Sequence, residues 1–149
     1  MFPDMNLPKV NIQDFRLLKI LIIDDDDASI VHALYLLDKF PILCETRSTK
    51  KTQDARGLIK SFDPDVILLD FFLLPETAPD FMAWMQKEKI KIPVIVFTAA
   101  GDEVKLESLK GGAVWWMQKP LDVVQFVATL RLMNIVEEIA LLRRRKNDY

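Results

Sequence analysis

The sequence predicts an α/β domain built on a doubly wound, five-stranded parallel sheet with five helices, and three observations carry that prediction. Runs such as Leu17 to Ile23, Val66 to Leu69 and Pro93 to Thr98 are apolar with little polar alternation, as in strands covered on both faces. Between them apolar residues recur at helical spacing, and strict alternation of strand and helix requires parallel pairing through right-handed crossovers. The chain has 149 residues, 50% of them hydrophobic, which suits one compact core and leaves little room for a second.

Residues 1–16 mix prolines, acids and scattered apolar groups without a sustained period, and read as a loosely attached N-terminal arm. The domain proper is expected over 17–132. Its first strand, Leu17 to Ile23, runs into four consecutive aspartates, Asp24 to Asp27. Ile30, Ala33, Leu34 and Leu37 then place a helix over about Ala28 to Lys39, with the acids at the end where negative charge is favoured. A weaker second strand is expected from Ile42 to Thr46, then a helix from about Lys51 to Phe62 stopped by Asp63-Pro64. The third strand, Val66 to Asp70, delivers a carboxylate at its end. Phe81, Met82, Trp84 and Met85 mark a third helix that Lys89 closes, and Pro93 to Thr98 forms the fourth strand.

A short helix from Asp102 to Lys110 ends at Gly111-Gly112, read as a left-handed cap, and the fifth strand runs from Val114 towards Lys119-Pro120. The last helix is expected to continue from Leu121 to Arg145, about 37 Å, against core strands of about 17–20 Å. It should project, with 133–149 as an extension. Leu132, Ile135, Val136, Ile139 and Leu142 would form an uncovered stripe fit for a homodimer or another partner, unless the helix bends back or frays.

Composition narrows the function classes. A net charge of −2 and a pI near 5.4 give no electrostatic case for nucleic acid. The basic run Arg143 to Lys146 reads as a solvated last helical turn. Cys44, the single cysteine, excludes an internal disulfide and is read as a buried strand residue in a reducing compartment. Met1-Phe2-Pro3-Asp4 lacks the basic start of a signal peptide, and no apolar run approaches the ~20 residues of a membrane span. The expectation is a cytoplasmic protein with neither nucleic-acid nor membrane partners.

Ligands of such sheets bind beyond the carboxyl ends of the strands. The residues ending strands one, three, four and five are Asp24-Asp25, Asp70, Thr98 and Lys119. Converging carboxylates repel, by about 4 kcal/mol for a pair ~4 Å apart at an effective dielectric of about 20, so a cation is expected among them. Hard oxygen ligands without His or Cys suit Mg²⁺. Lys119 adds an ammonium and Thr98 a hydroxyl for phosphoryl oxygens, equipment for placing a phosphoryl group on a carboxylate.

Ile22 to Asp26, Val66 to Asp70, Val96-Phe97-Thr98-Ala99 and Lys119-Pro120, in this order and spacing, resemble the receiver domains of two-component response regulators over about Leu18 to Leu132. The resemblance implies a flavodoxin-like strand order, 2-1-3-4-5. It also implies that Asp70 accepts a phosphoryl group from a sensor kinase histidine or a phosphotransfer protein. Mg²⁺ would be held by Asp24, Asp25, Asp70 and the backbone carbonyl of Phe72. Thr98 and Lys119 would hold the phosphoryl oxygens, small Ala99 would leave room for them, and Trp116 would rotate inward when Thr98 moves. Asp26 matches a usually acidic position, and Asp27 is assigned to the helix start.

Taken singly these residues have plainer readings: an acidic cap for Asp24-Asp25, a β-residue for Thr98, a solvated charge for Lys119. Trp115 is read as core and Trp116 as switch or interface; His32 is read as a bystander. Two other functions are open. A haloacid-dehalogenase-like phosphatase would use Asp24 as nucleophile and Asp26 as acid/base, leaving Asp70 unexplained. A degenerate receiver would bind partners unphosphorylated. The family places proline four residues after the acceptor and then a Gly-containing turn; here Pro75 comes at five, and Glu76 to Asp80 contains no glycine. Phe71, Phe72 and Leu73 are expected to crowd the site or shift the Phe72 carbonyl, and to slow loss of phosphate by restricting water.

Overall fold

The structure, a computed structural model, describes residues 17–39 and 43–133. Its strands are β1 (Leu18–Ile23), β2 (Cys44–Thr49), β3 (Val66–Leu69), β4 (Val94–Thr98) and β5 (Trp115–Gln118). They alternate with α1 (Asp27–Asp38), α2 (Thr52–Phe62), α3 (Ala78–Lys87), α4 (Lys105–Lys110) and α5 (Val123–Leu132). The sheet order is β2-β1-β3-β4-β5 and every pairing is parallel.

Side chains alternate across each strand, so a strand covered on both faces feeds two cores. Ile20, Ile22, Leu68 and Phe97 pack with Ile30 and Leu37 of α1 and with Phe126 and Leu130 of α5. Leu21, Ile23, Leu69 and Val96 pack on the other side with Ala55 and Ile59 of α2 and with Phe81 and Met85 of α3. All of β3 and β4 is buried, which is why both read as unbroken apolar runs.

Helix ends follow local chemistry. Asp26, one residue before the expected cap Asp27, accepts from the Ala28 N–H at 3.3 Å; Asp27 is already helical and pairs with Lys50. Thr77 and Asp80 form a reciprocal capping box at α3. Asp63 and Lys89 end their helices at φ of 52° and 57°. A 3₁₀ turn, Asp102–Val104, leads into α4, where Gly111 caps in right-handed conformation and Gly112 alone takes the positive φ of 110°.

Four expectations need correction. The second strand lies at Cys44–Thr49, not Ile42 to Thr46, because it is a polar edge strand pairing only with β1 and carries no apolar run to mark its limits. Cys44 is only half-buried there, though burial still pushes its thiol up to about 11, leaving it protonated at neutral pH. The last helix starts at Val123 rather than Leu121: Leu121 is core, and Asp122 caps by accepting from the Gln125 N–H at 3.1 Å. Trp115 is not core; it is 39% exposed on β5 with Lys105 Nζ 5.4 Å above its ring.

The expected N-terminal arm, Ile42 and the expected continuation of the last helix with Ile135, Val136, Ile139 and Leu142 lie outside the described residues. Leu132, the stripe's first member, is 85% exposed. Among the described residues no helix is long and apolar enough to cross a membrane.

Candidate functional site

Register brings the strand-end residues together. Ile23 of β1 is level with Leu69 of β3, so Asp24 and Asp70 leave the sheet side by side; the Asp70 N–H donates to the Ile23 carbonyl at 2.9 Å. Thr98 of β4 is level with Gln118 of β5, and the Lys119 N–H donates to the Thr98 carbonyl at 2.8 Å. Neighbouring strands are about 4.8 Å apart, the reach of facing side chains. Oxygens of Asp24, Asp25 and Asp70 accordingly lie within 4.8 Å of one another. Asp24 and Asp70 are buried and Asp25 is exposed.

The charge balance rests on Lys119. Its Nζ donates to Asp24 Oδ2 at 2.5 Å and to Asp70 Oδ2 at 3.3 Å, and it stands 5.5 Å above the Phe97 ring. One ammonium therefore faces two buried carboxylates. Burial raises the Asp70 carboxyl above its ordinary 3.8; the nearby Asp24 charge pushes the same way, while Lys119 and the Phe72 N–H pull it down. Hard oxygen donors at this spacing, with excess negative charge and an exposed third member in Asp25, fit a hydrated divalent cation such as Mg²⁺.

Sequence reading missed Ser29. Its Oγ donates to Asp24 Oδ2 at 2.7 Å from the first turn of α1, while the Asp26 N–H donates to Asp24 Oδ1 at 3.0 Å. Asp24 is thus oriented from three sides. A hydroxyl in the first helical turn after an acidic strand end was the available signal. Thr98 is buried, and its Oγ1 accepts from the Ala100 N–H at 3.3 Å. Ala99 is exposed beside it, its carbonyl accepting from Gln118 Nε2. Trp116 packs its ring against the α2/α3 core, with Nε1 buried and without a hydrogen-bond partner.

The segment after Asp70 does not crowd the site with all three apolar groups. Phe71 and Leu73 turn into the core; Phe72 is 57% exposed and Leu74 81% exposed. Phe72 remains against the acceptor through its N–H, 3.4 Å from Asp70 Oδ1, and its ring meets that of Phe71 edge to face at 5.0 Å. His32 is exposed on α1.

Comparison with known proteins fits this edge of the sheet. The response regulator protein PilR of Pseudomonas aeruginosa is 31% identical over 121 residues, covering 78% of this chain and 27% of that protein. The polar-differentiation response regulator DivK of Brucella ovis is 32% identical over 92 residues, 58% of this chain and 73% of that protein. For PilR and the phosphate regulon regulator PhoB of P. aeruginosa, the chain spans only 27% and 50% of the relative's length. A receiver domain structure from Clostridium thermocellum shares the fold at a TM-score of 0.70 and 22% identity, covering 85% of this chain and 99% of that one. Residues 20–131 match the response regulator receiver domain family as a whole, and the chain belongs to that family.

Proposed function

We propose that this chain is a phospho-accepting receiver in which an Asp70 carboxylate oxygen attacks the phosphorus of a phosphohistidine on a sensor kinase or phosphotransfer protein. The P–N bond breaks, the imidazole leaves, and an aspartyl phosphate remains. The observation that carries this reading is Lys119 Nζ bridging Asp24 and Asp70, which lie 95 and 49 positions before it in sequence. Bound Mg²⁺ would neutralise the phosphoryl oxygens during transfer. Asp24, Asp25, Asp70 and the Phe72 carbonyl are the groups assigned to hold it.

Lys119 then exchanges a carboxylate partner for a phosphoryl oxygen, and Thr98 donates its hydroxyl proton to another, with Ala99 leaving space. Thr98 moving towards the phosphoryl group frees volume for Trp116, whose buried, unpartnered Nε1–H gives the ring a reason to leave its present position. The partner surface changes in consequence. The downstream target is unassigned. Exposed Leu132 supports a homodimer through the C-terminal stripe.

Receiver domains are signalling modules rather than enzymes, and self-phosphorylation with slow autodephosphorylation is the only turnover assigned here. Incubation with a small phosphodonor and Mg²⁺ tests the reading: mass increases by one phosphoryl group, and Asp70→Asn abolishes the gain. A chain that never gains mass is instead the unphosphorylated interaction module. Hydrolysis of general phosphomonoesters, lost in Asp24→Asn and kept in Asp70→Asn, would establish the phosphatase.

A further inference from the structure

The loop joining β3 to α3 departs from the family pattern, yet it is tied down at several points. The Ala78 N–H donates to the Phe71 carbonyl at 3.3 Å, closing the loop on itself. Leu73 is buried in the core. From α2, Arg56 Nη2 reaches Glu76 Oε2 at 2.7 Å, and its guanidinium carbon lies 4.8 Å from the Trp84 ring, which stacks on buried Phe81 at 5.5 Å. An arginine on one helix, braced by an aromatic of another, thus grips the loop that leans on the proposed acceptor.

This pair is a poor stabilising device. Arg56 Nε and Glu76 Oε1 are both buried without a hydrogen-bond partner, and a partly desolvated ion pair of that kind is often outdone by apolar residues of similar size. What such a pair supplies is geometry: with its guanidinium carbon 4.8 Å from the Trp84 ring, Arg56 offers Nη2 to Glu76 Oε2 from a planar group of fixed donor directions.

We infer that Arg56 and Glu76 are positioning residues that hold the 71–77 loop, and with it the Phe72 backbone, against the Asp70 carboxylate in the geometry the divalent cation requires. The inference rests on the receiver reading of the acidic cluster. It accounts for a loop that lacks the usual glycine turn: the pair constrains from outside what turn residues ordinarily constrain from within. Partners that orient metal ligands typically change affinity by about 10–100-fold, and one acting through a backbone segment should change it by about fivefold to tenfold.

Isothermal calorimetry with Mg²⁺ alone, on the full chain, tests this. Arg56→Met/Glu76→Leu should keep or raise the urea midpoint while weakening Mg²⁺ binding about fivefold to tenfold. Glu76→Gln, which keeps the shape and an acceptor oxygen, should fold in any event and weaken binding about twofold to threefold. Arg56→Glu/Glu76→Arg should recover part of the loss. Mg²⁺ affinity within about twofold of wild type in the double apolar variant, or unchanged in Glu76→Gln, overturns the positioning role and leaves the receiver reading intact. Failure of the wild-type chain to bind Mg²⁺ overturns both.

Discussion

Replacing Lys119 by methionine removes the one ammonium that, among the described residues, faces both buried carboxylates. At 3.3 Å from Asp70 and an effective dielectric of about 20, the ammonium contributes roughly 5 kcal/mol of attraction, with a comparable share from Asp24 at 2.5 Å. Oxygens within 4.8 Å of one another repel by roughly 3.5 kcal/mol at the same dielectric. Much of the attraction only offsets the desolvation of three charges, so the expected net loss is that of a broken buried pair, about 3 kcal/mol in metal-free protein at neutral pH. With a slope near 1.5 kcal/mol per molar urea, the midpoint falls by about 2 M.

Two controls separate this charge argument from lost packing. Millimolar Mg²⁺ should restore most of the midpoint, because a divalent cation can replace the ammonium as counter-charge. Acid should restore it too. Burial holds the Asp70 carboxyl above 3.8, so its ionisation costs the folded state free energy that is absent below 3.8, grows as pH rises from 3.8 to the folded value and is constant above it. Without Lys119, which pulls that value down, the window extends to higher pH and the cost at neutral pH is larger, so the variant converges on wild type as pH falls towards about 4. A loss below about 1 kcal/mol in EDTA, or one of equal size with Mg²⁺ present, would refute the reasoning.

Three further substitutions probe separate parts of the molecule. Ser29→Ala removes a hydrogen bond to a buried carboxylate and should lower metal-free stability by about 2 kcal/mol in urea; a change near zero would mean that Asp24 does not depend on it. Lys89→Gly relieves a left-handed residue at φ 57° and should raise stability by about 1 kcal/mol, or roughly 3 °C in Tm, whereas an unchanged Tm would show the conformation to be unstrained. Phe72→Ala opens the exposed side of the acceptor and should shorten the lifetime of the phosphorylated protein severalfold; an unaltered lifetime would dispose of water exclusion by that ring.

The legible part of the molecule was the part governed by repetition. Buried parallel strands announce themselves as apolar runs, and adjacent strands in register must end together, so Asp24, Asp70, Thr98 and Lys119 could be placed on one edge without knowing any loop. Where repetition fails, so did placement. Strand β2 is polar because it is an edge, and its residues Cys44–Thr49 carry no period to fix their limits. Trp115, read as core, is exposed because it opens the other edge strand: Met117 two residues on is fully buried on the same face, and Trp116 packs on the opposite core. Arg56 and Glu76 meet across 20 positions between a helix and a loop, an encounter decided by tertiary packing alone.

The apolar loop after Asp70 marks the boundary between these cases. Read as loop residues, Phe71 to Leu74 look like a single excess of hydrophobicity beside the site. The structure alternates them: Phe71 and Leu73 in, Phe72 and Leu74 out. The alternation arises in a loop rather than in a strand: β3 ends at Leu69, the chain bends at Phe71, and the Ala78 N–H closes the segment back onto the Phe71 carbonyl. The excess therefore has two causes. Phe71 and Leu73 lengthen the core beneath the acceptor and anchor the loop, while Phe72 and Leu74 are left on the side open to solvent and partners. The bend at Phe71 brings the Phe72 N–H back to the Asp70 carboxylate, so a residue whose ring faces solvent keeps its backbone against the proposed acceptor.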